Sequence, residues 1–204
     1  GQFLLDETSL NPKTIFKRMS SIALGMFDET LSTLTTGDST NLQTIPNRDD
    51  EINRQYFLLV RFIRSTMVDR RLAGIFNLEN IDILDYRIAG NILETAGDTI
   101  VDLSKSITDT SLSGTDQKKI YEIAKDIENI QKKAIDAFIT NNRSLAIEAI
   151  KLHGQHQEKV SKIRSSLEHK KQVPIAFLDL IYIFEKIAQS WSDISDLVQP
   201  TYRK

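Results

Sequence analysis

The chain has 204 residues, 40% of them hydrophobic and 26% charged, with a net charge of −2. That composition is ordinary for a globular protein long enough for one large or two small domains, and it supplies no global field for nucleic acid or an anionic membrane. No cysteine is present, which excludes disulfides, thiolate metal sites, iron–sulfur clusters and cysteine nucleophiles; any metal must be held by carboxylate or imidazole.

Eight glycines and four prolines punctuate the chain, and the segments between them repeat at helical period. Pro12, tolerated in a first turn, opens a helix that runs to about Thr36 before Gly37. Its apolar positions (Ile15, Met19, Ile22, Ala23, Met26, Phe27, Leu31, Leu34) are spaced by three and four. A second helix covers about Asp49 to Val68 on Ile52, Tyr56, Leu59, Ile63 and Met67, with a break expected at Pro46. "VDRRLAGIFN" reads as a turn. A third helix spans about Leu78 to Thr108. Thr115 is the expected N-cap of a fourth that runs to about Asn141. A fifth spans Ser144 to Lys170, and Pro174 opens a sixth that ends before Pro200. No stretch alternates at period two, so the expected fold is all-α with six long antiparallel helices.

The helix plan repeats itself. "LETAGDTIVDLS" at 93–104 aligns with "FEKIAQSWSDIS" at 184–195: Glu94 meets Glu185, Asp102 meets Asp193, and Ser104 meets Ser195. Ala23 and Phe27 of the first helix meet Ala134 and Phe138 of the fourth. Matches in the same order on the same plan imply an internal duplication. The expected domains are a three-helix unit at 12–112 and another at 113–204, with residues 1–11 a linker or chain end.

The acids of the third helix define the candidate site. At about 100° per residue, Glu94, Asp98 and Asp102 fall within roughly 80° of one another. Ala89, Leu93, Ala96, Ile100 and Leu103 form the core stripe on another side. Glu185, Gln189 and Asp193 take the same angles on the last helix, where Trp191 reads as a packing residue. A carboxylate on an outer face is most often simply solvated. Acids one turn apart nevertheless repel unless a cation stands between them, and such a pair brings oxygen ligands within reach of one hard ion.

"LETAGDTIVDLSKSI" resembles the signature helix of the PhoU family, and "RDDEINRQYFLLVRFI" resembles the helix before it, most closely in archaeal members. Two three-helix repeats are also that family's plan, and the resemblance runs from about Asn11 to Gln199. It implies a non-enzymatic regulator of phosphate uptake and the phosphate-starvation response. Its partner would be a phosphate-transport or signalling protein, or a second copy of the chain. It also implies iron or zinc, alternatively magnesium, on acidic motifs at the bundle surface, although no cofactor is required. Carried over, Glu94 and Asp98 match the motif, and Asp102 extends it. Asp49 matches the acid of the second helix, with Asn53 where its partner aspartate is expected. In the second repeat Glu185 matches, Gln189 replaces an aspartate, and Asp193 remains on that face; Gln157 and Ser161 stand neutral on the fifth helix. An amide keeps an oxygen but loses the charge that binds an ion tightly, so operation without a metal is the first expectation, repeat one is where a metal would sit, and repeat two is a degraded site.

The chain begins with Gly rather than Met. In many archaea a PhoU-like domain follows an AbrB-like DNA-binding domain, so the alternative expectation is the sensing or dimerisation half of a transcription regulator. This part itself would not bind nucleic acid or insert in a membrane. No basic n-region with an apolar block opens the chain, and a cytoplasmic location is expected. Arg61, Arg64, Arg70 and Arg71 read as a solvated helix end favoured by the helix dipole. His153 and His156 read as surface histidines, lacking the spacing of a zinc motif. Asp85 falls on the apolar side of its helix, where it would pair with an arginine or cap a neighbouring chain. No catalytic triad order, phosphate-binding glycine loop or Glu-x-x-His pair is present, so no enzyme or metal store is expected.

Overall fold

The fold is described from a computed structural model, which covers residues 11–109, 114–168, 173 and 175–198. The described residues form helices α1 (Pro12–Thr36), α2 (Ile45–Val68), α3 (Arg70–Ile75), α4 (Asn80–Asp109), α5 (Gly114–Thr140), α6 (Arg143–Glu168) and α7 (Ile175–Asp196), and no strand. Six are the long helices read from the sequence. The expected boundary between residues 112 and 113, and residues 1–10 of the expected linker at 1–11, lie outside the described residues.

Local chemistry sets the helix ends. The Asn11 side chain accepts the Thr14 N–H at 2.8 Å, with Pro12 in the first turn. Gly37 closes α1 at φ 71°, a left-handed conformation that glycine adopts without a Cβ penalty, and its N–H donates to the Thr33 carbonyl.

Three boundaries differ from the sequence reading. Pro46 does not break a helix; it sits in the first turn of α2, where its missing N–H goes unused, and a 3₁₀ turn at Thr40–Thr44 leads in. Thr115 is not the cap of α5, because the helix already includes Gly114. The segment read as a turn contains α3, capped by Asp69 accepting the Arg71 N–H. Phe76 just beyond α3 packs edge-on against Phe62, 4.7 Å between ring centres, which folds the segment back on α2.

Helices α1, α2 and α4 pack against one another, as do α5, α6 and α7. The two trios meet through α1 on α5 and α4 on α7, leaving α2 and α6 on the outside. One continuous buried cluster joins them. Phe16 meets Phe138 at 4.9 Å, Phe138 meets Tyr86 at 5.2 Å, and Phe27 meets Phe184 at 6.1 Å. Trp191 is fully buried, as its place on the stripe implies. No helix among the described residues is long and apolar enough to cross a membrane.

Candidate carboxylate site between the second and fourth helices

Two glycines draw α4 tightly against α2. A Cβ at Gly90 would stand 2.7 Å from Leu59 Cδ2, and one at Gly97 would stand 2.8 Å from Asp49 Oδ1. The bare backbone at Gly97 therefore makes the niche in which the Asp49 carboxylate lies. Asp49 is 9% exposed, and its Oδ1 has no hydrogen-bond partner. Asp98, Glu94 and Asp50 bear on it electrostatically. The adjacent cation, Arg48, is committed to Glu29 of α1 at 3.0 Å.

A buried acid among acids holds its proton. Asp49 is pushed up to about 6, first by burial, then by the charges of Asp98, Glu94 and Asp50, and by a hydrogen bond with Asp98 that exists only while Asp49 is protonated. Glu94, half-buried, is raised by burial first and by Asp98 second. Asp98 and Asp102 are exposed and Asn53 is half-buried. The structure thus brings Asp49, Glu94 and Asp98 into one electrostatic neighbourhood, with Asp102 one turn farther along α4.

The chemistry of this set suits a hard cation: all-oxygen donors and one buried oxygen with nothing to bond. The set is not preassembled. Among the described residues no three histidine, aspartate or glutamate side chains gather closely enough to hold an ion together. Asp98 already stands within hydrogen-bond reach of Asp49, so binding would require Glu94 to swing in.

The second bundle solves the same charge problem internally. Glu185 of α7 is ion-paired with Arg164 of α6. Gln189 donates from Nε2 to Asp193 Oδ1 at 2.7 Å. The amide that reads as a lost ligand in sequence is here a donor that satisfies the neighbouring acid.

The family model described as PhoU domain matches residues 16–107. Residues 16–107 are thus similar to a PhoU domain. No curated protein matches the sequence. Among solved structures, the phosphate transport system regulatory protein PhoU from Streptococcus pneumoniae superposes with a TM-score of 0.76 at 18% identity, covering 97% of this chain and 95% of that one. PhoU from Pseudomonas aeruginosa gives 0.72 at 15% identity, covering 92% and 93%. At these identities the likeness shows the fold, which the chain shares over nearly its whole length.

The matched segment contains Asp49, Asn53, Glu94, Asp98 and Asp102, whereas Glu185, Gln189 and Asp193 lie beyond it. Arg61, Arg64, Arg70 and Arg71 within it are exposed, and Arg71 pairs with Asp69 at 3.1 Å. Two readings outside the acid set are corrected. His153 and His156 are buried, at 7% and 1% exposure, not on the surface. Asp85 is half-buried without an arginine; burial and then the charge of Asp82 raise its pKa. The signal for the histidines was present: Ala149, His153, His156 and Val160 step by four, three and four, an inward stripe on α6.

Proposed function

We propose that this chain regulates phosphate uptake and the phosphate-starvation response through protein contacts, without catalysis. The observation that carries this reading is the match to the PhoU domain at 16–107, set in a fold shared with two PhoU proteins, one of them a phosphate transport system regulatory protein. The Asp49–Glu94–Asp98 cluster is the proposed control point: an anionic surface whose charge a bound cation would relieve. Iron, zinc or magnesium would supply positive charge there, with Asp49 and Asp98 already side by side and Glu94 as the ligand that moves in. The fold does not depend on such an ion, because the buried core lies on other faces of α2 and α4.

Deleting the gene in its own organism and measuring phosphate uptake tests the reading. Uptake that stays high in phosphate-rich medium, restored to control by the wild-type gene, is the expected result. Uptake unchanged by deletion in both rich and poor medium would overturn it.

A further inference from the structure

His156 is the least satisfied polar side chain outside the acid set. It is 1% exposed, yet neither Nδ1 nor Nε2 has a hydrogen-bond partner. Burial pushes its pKa down to about 4 against the pull of Asp126, so at neutral pH the ring carries one N–H donor and one bare nitrogen. Leaving buried polar atoms unpaired is costly, and in folded proteins such atoms normally bond to protein, an ordered water or a ligand.

The ring borders a cleft of about 290 Å³ between α5 and α6, lined also by Asp126, Asn129, Gln155, Glu158, Lys159 and Lys162. The cleft is large for a single water, which needs about 30 Å³. Its charges divide unevenly. Lys159 is ion-paired with Asp126 at 2.8 Å, which occupies the carboxylate facing His156. Lys162 pairs with no acid among the described ion pairs, so a free ammonium stands in the same cleft. The amides of Asn129 and Gln155 make no hydrogen bond among those described and add four N–H donors. Donors therefore outnumber free acceptors. Exposed Glu158 is the remaining anion, and it disfavours a large polyanion while leaving room for a small one.

We propose that the α5/α6 cleft binds a small oxyanion, of the size of inorganic phosphate, held by His156, Lys162 and the amides of Asn129 and Gln155. The site lies in the second bundle, outside the segment 16–107, and does not depend on the carboxylate cluster or on the regulatory reading. An oxyanion would give the His156 N–H an acceptor and Lys162 a counter-charge. Those are the two needs the protein leaves unmet there.

The chain has three histidines, so ring signals can be followed singly by NMR. Inorganic phosphate, sulfate and, as an ionic-strength control, chloride would be titrated into the full chain. The expected result is a saturable shift of the His156 ring signals with phosphate or sulfate and not with chloride. Lys162→Ala, at an exposed position that should not disturb folding, should weaken binding about tenfold or more. Lys13→Ala, an exposed lysine on α1, should bind as the wild type does. Shifts no larger than those with chloride would overturn the proposal and leave the cleft to water. Affinity unchanged in Lys162→Ala would place the anion elsewhere and overturn it equally.

Discussion

Replacing Asp49 with asparagine should make the protein more stable at neutral pH, although it removes an acid of the family motif. The carboxyl holds its proton up to about pH 6 in the folded chain, against 3.8 for the ordinary group. The folded state therefore binds this proton more tightly than the unfolded state does. Below about pH 3 both states are protonated and the residue is neutral in its niche. As pH rises from 4 through 6 the folded chain must surrender the proton, and stability falls. The difference of about 2 pKa units sets a ceiling of about 3 kcal/mol on this loss. Asparagine matches the shape, fits beside Gly97, carries no charge, and can donate to Asp98. At pH 7.5 in chelator, Asp49→Asn should gain about 1–3 kcal/mol, or roughly 2–10 °C in Tm for a chain of this length. At pH 4 the gap should shrink to about 0.5 kcal/mol. Thermal and urea unfolding at pH 4, 5, 6 and 7.5 would measure both. A variant no more stable than wild type at pH 7.5, or an equal offset at every pH, would refute the view of Asp49 as an uncompensated buried charge.

Three further substitutions probe the surroundings. Gly97→Ala puts a methyl 2.8 Å from Asp49 Oδ1 and 3.1 Å from Ile52 Cδ1. Crowding of ~1–3 kcal/mol outweighs a helix-propensity gain of ~1 kcal/mol, so urea unfolding should show a net loss. Asp98→Ala alters an exposed residue and should move the unfolding free energy in chelator by no more than about 0.5 kcal/mol. By removing a charge beside Asp49 it should also bring that carboxyl back toward its ordinary range, which a titration followed by carboxyl-carbon NMR would detect. Arg164→Ala frees Glu185, which is 30% exposed; a pair this wet contributes at most ~1 kcal/mol, so the melting curve should shift only slightly.

The six long helices were legible because apolar spacing of three and four survives over 22 to 30 residues in each. The short α3 was not: at six residues, with Gly74 inside, its own signal is that of a turn, and it forms because Phe76 reaches Phe62. Pro46 misled in the opposite direction, since a proline marks either a break or a first turn and the local pattern does not choose. At the site, the spacing of Glu94, Asp98 and Asp102 gave their common face. The burial of Asp49 was hidden, because it depends on the absence of a side chain at Gly97 on another helix. The neutralisation of the second repeat was equally invisible, since Arg164 and Glu185 belong to different helices. The histidines on α6 were misread by weighing residue type over position.

The two bundles differ in charge: the second carries its own counter-charges, while the first holds a buried carboxylate among acids with no cation of its own. Metal content by mass spectrometry, on protein purified without a histidine tag and then exposed to iron, zinc and magnesium, tests this most directly. The account predicts a near-stoichiometric ion that is lost in Glu94→Ala/Asp98→Ala and retained in Glu185→Ala/Asp193→Ala. An ion retained in the first variant, or no ion bound after exposure to all three metals, would contradict it.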